Sequence, residues 1–424
     1  MATIIGAMSC IALNGCGGGR EPAAAAQAAG ARAQRVIPVV GAPEPETAAS
    51  RVAAAVYLEI APENRPLVSR FALVVLNMYP SMGLGYMQGM INDLRAANPK
   101  IKLAQYIVLN EWSSSPVVAS DSYAGFRALT DNGWWALDAQ GRHVRWTDAY
   151  GNDDVNITDW APPGADGRRW PQWKADYDTA QFFRPLSGLD YVFNDNVMYR
   201  PRYDADLMRI GTNQPGSDPA IMAAFRTGYV NYWNALRAAN PGLKVIGNAD
   251  NDLDSPEFKD RIEGAYNECI SGIESSAGWD AMMARYRATL ANTTAPHAVV
   301  FETCTASVDP ARLRYGFASA LLEDGYFAYT VSDAARTPYW ADEFSAPLGT
   351  PAEPPPAAAT GSGAWIRRYT HGLVLVNPTG SPLTVDVGAG YRRLSGSQDP
   401  QVNNGREERQ VELPPRSGLL MVAS

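Results

Sequence analysis

Eight short apolar runs recur between Arg51 and Asp333, most of them ending in a carboxylate or an amide. They read VAAAVYLEI (52–60), FALVVLNMY (71–79), IKLAQYIVLNE (101–111), LDYVFNDN (189–196), LKVIGNAD (243–250), IEGAYNE (262–268), HAVVFET (297–303) and GYFAYTVSD (325–333). A buried parallel strand must be apolar on both faces, and polar chemistry belongs in the loop that follows it. Between the runs lie stretches with helical apolar spacing: MGLGYMQGMINDLRAANP (82–99), PAIMAAFRTGYVNYWNALRAANP (219–241), AGWDAMMARYRATLAN (277–292) and DPARLRYGFASALLE (309–323). Two of these end in Ala-Asn-Pro, where proline halts a helix and asparagine tolerates a left-handed terminal position. Strand and helix alternating in this way predict an α/β fold whose parallel sheet closes into a (β/α)8 barrel.

In such a barrel the carboxyl ends of the strands share one face, so Asp195, Glu268, Glu302, Glu111 and Asn248 are expected to converge on one pocket. Between the third and fourth runs the chain carries an insertion. Within it, GWWALDAQGRHVRWTD (133–148) reads as a β-hairpin and NITDWAPPG (156–164) follows. An insertion there walls a cleft. Its Trp134, Trp135, Trp146 and Trp160 are candidates for stacking on a flat apolar partner, against the alternative that they pack the hairpin. After PYWADEFSAPLG (338–349) comes TPAEPPPAAATGSG (350–363), read as a linker or mobile loop. From Ala364 the pattern alternates between Pro/Gly turns, which predicts a small antiparallel β-sandwich over 364–424. The barrel is assigned to 51–349.

The chain opens on an apolar stretch too short to span a bilayer, ending in LNGC (13–16). Residues 1–16 read as a secretory leader resembling a lipoprotein signal, with Cys16 as the lipidated residue. The Ala/Pro/Gly-rich segment 17–50 reads as a disordered tether. The expectation is an exported protein, periplasmic or on the cell surface, held at the outer membrane only through that lipid. Export places Cys269 and Cys304, just after the sixth and seventh strands, in an oxidising compartment. A disulfide and two free thiols are both open.

Asp and Glu number 44 against 36 Lys and Arg, with no basic run, so a nucleic-acid or polybasic membrane footprint is not expected. The three histidines are scattered without ligand spacing, and no glycine-rich phosphate loop, EF-hand loop or G-x-S-x-G elbow occurs. No metal and no cofactor are expected. A neutral polar partner suits this composition better, and a monomer is expected.

Asp195 is the leading catalytic candidate, because DYVFNDN sets it at the end of an apolar run between two asparagines. Asn77, Tyr79, Glu111, Trp112, Trp135, Asn194, Asn248 and Asp250 are the candidate substrate contacts. Structural alternatives accompany the other acids: Glu268 as a helix cap, Glu302 as a salt-bridge partner of an arginine such as Arg314, and Glu111 as a loop anchor. Asp190 reads as a residue of the opposite barrel face.

The order FALVVLN, ANPKIKLAQYIVLNEW, WWALDAQGRHVRWT with NITDW, LDYVFNDN, VIGNAD, then PYWADEF, GLVLVNPT, YRRLSG and ELPPRSGLLMV resembles the bacterial glycoside hydrolases with a TIM barrel and a C-terminal β-sandwich, the hypothetical glycosyl hydrolase families. The likeness runs from about residue 52 to 424. It implies hydrolysis of a polysaccharide or oligosaccharide by two carboxyl groups flanking an oxocarbenium-like transition state. By position, the branch that uses strands four and six implies Asp195 as nucleophile and Glu268 as acid/base. The branch that uses strands four and seven implies Glu302 instead. The second functional reading is a catalytically inactive glycan-binding lipoprotein on the same scaffold.

Overall fold

All eight apolar runs form strands in the computed structural model, which describes residues 47–56, 60–138, 140–148, 151–197, 218–249, 253–331 and 338–424. Cys16, Asp250 and most of the 17–50 segment lie outside the described residues. Strands β1 (Ala53–Val56), β2 (Leu73–Leu76), β3 (Lys102–Val108), β4 (Tyr191–Val197), β5 (Lys244–Ala249), β6 (Gly264–Asn267), β7 (Ala298–Thr305) and β8 (Tyr326–Val331) neighbour one another in chain order, every pair parallel. A parallel bridge between Val52 and Phe327 returns the last strand to the first and closes the barrel. Ordered packing begins before residue 51, since Ala48 is buried and its N–H bonds Ala346 O at 2.8 Å.

Side chains alternate across a strand, and the strands here are buried on both faces. Tyr191, Phe193, Ile246, Tyr266, Val300 and Ala328 fill the barrel interior as one cluster. Their neighbours Val192, Val245, Ala265, Val299 and Phe327 belong to the larger core between strands and helices.

Helices Leu84–Ala97, Pro219–Ala239, Trp279–Ala291 and Pro310–Leu321 fall inside the four stretches with helical spacing. Asp218 and Asp309 cap two of them, each carboxylate accepting an N–H of the first turn, with proline at the first helical position. The Ala-Asn-Pro ends differ from expectation. Asn98 and Asn240 have φ −141° and −134°, on the extended side rather than left-handed. The proline that follows each one clashes with other conformations, and the freed amides find partners instead: Asn98 donates to Ser69 O and Phe71 O, Asn240 to Thr179 Oγ1.

The insertion holds the expected hairpin, with bridges Leu137 to His143 and Trp135 to Val155, turned at Gly141 with φ 78°. The two short strands Glu111–Ser113 and Asn152–Asp154 pair antiparallel and tie it to the end of β3. A helix that no pattern predicted, Trp170–Asp178, packs on helix Pro219–Ala239. Its Lys174 and Asp178 form a fully buried ion pair at 2.5 Å, and Tyr232 of the longer helix donates to the same carboxylate at 2.7 Å.

The tail forms a small sandwich. One sheet holds β9 (Trp365–Tyr369), β10 (Gly372–Asn377), β14 (Ser417–Ala423) and β12 (Tyr391–Arg393), and the other holds β11 (Leu383–Asp386) and β13 (Gln410–Leu413). Leu373, Leu375, Val385, Val411, Leu419 and Met421 pack between them. The 350–363 segment, read as a linker or mobile loop, is stitched to this sheet: Ala352 N–H bonds Arg368 O, and Arg368 N–H bonds the Glu353 carboxylate at 2.7 Å. Helix Pro310–Leu321 lies so close to β14 that a Cβ on Gly418 would sit 2.6 Å from Arg314 O. Arg314, weighed as a partner of Glu302, instead joins the two domains. It donates to Glu343 at 2.9 Å and to Asp399 at 2.8 Å, and Asn403 donates to the same Glu343 oxygen.

Breaking a buried ion pair from one side strands its partner, so Arg314→Ala is expected to cost the full chain about 3 kcal/mol of unfolding free energy. Urea denaturation measures it. A loss below about 1 kcal/mol, the range of an exposed pair, would contradict this account of the interface.

Candidate active site

Strand alternation carries the interior face of the barrel up to its carboxyl end. Tyr191 and Phe193 face inward, so Asp195 does too, and the same step of two takes Ile246 to Asn248, Tyr266 to Glu268, Val300 to Glu302 and Ala328 to Thr330. Asp195 is fully buried, and Asn248 is 9% exposed. The Tyr106 hydroxyl of β3 donates to Asp195 Oδ2 at 2.6 Å. The Asn248 amide nitrogen donates to Asp195 Oδ1 at 2.8 Å and to Glu268 Oε2 at 3.0 Å. One –NH2 group thus bridges the two carboxyls predicted from strands four and six.

Glu302 is brought close to them and buried at 4% exposure. It accepts from Tyr266 Oη at 2.8 Å, Thr330 Oγ1 at 2.6 Å and the Cys269 N–H at 3.1 Å. Burial pushes its carboxyl above the usual range, against the pull of those three donors. The same burial, with Glu302 beside it, holds the Tyr266 hydroxyl well above its ordinary value. Cys269 and Cys304 form a disulfide that links the ends of β6 and β7. They and Glu302 are the one cluster of potential metal ligands among the described residues, and a disulfide offers no thiolate to an ion.

The remaining predicted contacts divide. Asn77 donates to Tyr79 Oη at 2.6 Å, and Tyr79 is 38% exposed beyond the end of β2. Glu111 accepts the Trp146 indole N–H at 2.5 Å and lies across the ladder from Asp154, which makes it an anchor of the insertion. Three expected contacts are corrected. Asn194 is fully buried on the outer face of β4, where its oxygen accepts the Trp233 indole N–H at 3.0 Å. Trp112 spends its N–H on Ser122 O at 2.7 Å and packs edge-on against Trp170 and Tyr177. Trp135 is 6% exposed and stacked on His143. Trp134 is buried as well, while Trp160 keeps 39% of its surface exposed. Asp190 lies just before β4, at the opposite end, bonded to Arg95 and to Leu103 N–H.

Tyr106, Tyr266 and Thr330 went unnoticed in the sequence. The signal was there for Tyr266, two positions before Glu268 and so on the same face.

A family model described as hypothetical glycosyl hydrolase family 15 matches residues 95–373. Among solved structures, the chain is similar to Amy13B of Eubacterium rectale, with 10% identity, 90% of this chain and 97% of that one covered, and a TM-score of 0.52. An alpha-amylase from Anoxybacillus gives 9% identity, coverage of 89% and 99%, and a TM-score of 0.51. An alpha-amylase from Lactobacillus plantarum gives 9% identity, coverage of 88% and 99%, and a TM-score of 0.52. At such identities the likeness concerns the fold. No curated protein matches the chain.

Asp154 carries a pH consequence. Burial, followed by the nearby Glu111 and Asp153, pushes its carboxyl up to about 9. A raised carboxyl keeps its proton in the folded state after the unfolded chain has lost it, so this group's contribution falls as pH climbs from its ordinary value toward about 9. Asp154→Asn removes that dependence. Urea midpoints of variant and wild type are expected to diverge in the variant's favour between pH 5 and pH 8, and a constant gap would contradict the assignment.

Proposed function

The chain belongs to hypothetical glycosyl hydrolase family 15 and is a glycoside hydrolase; on that premise we propose that it cleaves a polysaccharide or oligosaccharide by a retaining double displacement, with Asp195 as nucleophile and Glu268 as acid/base. The observation that carries this reading is the shared Asn248 amide. Contacts of 2.8 and 3.0 Å to one nitrogen keep the nearest oxygens of the two carboxyls within the two bonds laid end to end. That limit suits the roughly 5–5.5 Å of retaining pairs better than the roughly 6.5–9.5 Å that leaves room for a water in inverting ones. Asp195, steadied by Tyr106 and Asn248, attacks the anomeric carbon while Glu268 protonates the departing oxygen. Glu268 then takes a proton from the water that releases the sugar. Glu302, whose two oxygens already accept three hydrogen bonds, supports the site rather than reacting in it. Asn248 orients the carboxyls instead of binding sugar. The binding-only alternative gives no reason for a carboxyl pair held in this way.

Export is part of the same proposal. The Cys269–Cys304 disulfide supports an oxidising compartment, and LNGC supports lipid attachment at Cys16. Partitioning of the wild-type protein into detergent, reversed by Cys16→Ala, is the expected outcome. A wild-type chain that stays wholly in the aqueous phase would remove the anchor.

The chemical assignment is tested on glycans and activated aryl glycosides. Glu268→Gln is expected to slow unactivated substrates by about 10²–10⁴-fold and aryl glycosides far less, because a good leaving group hardly needs a proton. Asp195→Asn should lose turnover on both, and the first product seen by proton NMR should keep the substrate's anomeric configuration. Undiminished turnover in Asp195→Asn, or an inverted first product, would contradict the reading.

A further inference from the structure

Glu302 is a buried acid that the proposed chemistry does not use. Its partners are not scattered: Tyr266 and Cys269, which flank Glu268 in the chain, both donate to it, and Thr330 of β8 supplies the third bond. Cys269 itself has φ +46°, a left-handed conformation uncommon outside glycine, at the residue directly after Glu268. Such a backbone persists only where the surroundings over-determine it. Here two constraints do so, the Glu302 carboxyl on its N–H and the disulfide to Cys304.

We propose that Glu302 and the Cys269–Cys304 disulfide form a clasp that positions Glu268, holding the chain on both sides of it so that its carboxyl stays against Asn248. Glu302 is thus a positioning residue for the reaction. Its chemistry suits the task. A carboxylate is acceptor-only, which matches three converging donors, whereas a glutamine of the same shape would turn an –NH2 toward at least one of them. The disulfide fixes the same turn through a covalent bond, so reduction and substitution loosen one element by independent routes. A misplacement of about 1 Å at a reacting carboxyl can cost about 10²-fold in rate, which gives such a clasp its value.

The inference rests on Glu268 being the acid/base, and the experiment separates the two by reading position rather than turnover. The full chain is labelled with carboxyl-13C glutamate, and the Glu268 resonance is identified by its loss in Glu268→Gln. Its titration midpoint is then measured with and without Asn248→Ala in three backgrounds: the oxidised wild type, the wild type reduced with TCEP, and Glu302→Gln. In the intact protein, losing the Asn248 bond to the charged carboxyl is expected to raise the midpoint by about one pH unit. In the reduced and Glu302→Gln backgrounds that shift should vanish, because the contact is already lost and coupled effects do not add. An Asn248→Ala shift of the same size in all three, or none in the intact protein, overturns the clasp. Should Glu302→Gln fail to fold, the reduced wild type decides with its sequence unchanged. If the protein then cleaves no glycan, the coupling stands while the proposed role of the pair falls.

Discussion

Two carboxyl groups that share a buried pocket repel one another unless something between them favours their approach, and here that something is a single amide. Asn248 donates both its hydrogens, one to Asp195 and one to Glu268. An –NH2 group with two acceptors in reach has no better use for its donors, and the acids gain a fixed separation. The barrel makes this geometry possible. Strands β4, β5 and β6 are adjacent, and one residue from each, taken two positions beyond an interior apolar side chain, meets at the carboxyl end. The pairing of β4 with β5 shifts register between Asn194 and Val197, right where Asp195 leaves the regular ladder. Bulges of this kind re-aim side chains at functional sites.

Around that amide, polar groups are paired rather than exposed. Tyr106 steadies one oxygen of Asp195 from below, and Glu302 gathers Tyr266, Thr330 and the Cys269 N–H. Unpaired groups at such depth would each cost about 1–3 kcal/mol, so a floor of this kind holds only when nearly every donor has its acceptor. The insertion after β3 is secured by the same logic, through Glu111 and the Trp146 indole. The C-terminal sandwich stands apart from the chemistry and is fastened to helix Pro310–Leu321 by Arg314.

Much of this was legible in the chain. Eight apolar runs, most of them ending in an acid or an amide, marked the eight strands, and the residues at their ends included both bridged carboxyls and Asn248 itself. What went unread in the pattern was direction at a distance of one residue. Asn194 and Asp195 look equivalent in FNDN, yet adjacent residues face opposite sides of a strand, and Asn194 turns outward to Trp233. Tracing the alternation from Tyr191 would have separated them. The tryptophans failed for another reason: indoles close in sequence to a cleft wall also make the wall's core, and Trp112 and Trp135 do that. The roles of Tyr106 and Thr330 depend on neighbours from other strands, and no local spacing carries that information.

The retaining pair is most directly tested by looking for the bond it requires. The full chain is quenched with acid during turnover of an activated fluoroglycoside, digested, and mapped by mass spectrometry, with the Glu268→Gln variant used to slow release of the intermediate. The account predicts a glycosyl adduct on the peptide that carries Asp195, absent from Asp195→Asn. A covalent sugar on Glu302 or Glu268 instead, or turnover that leaves every carboxyl unmodified and yields inverted product, would contradict it.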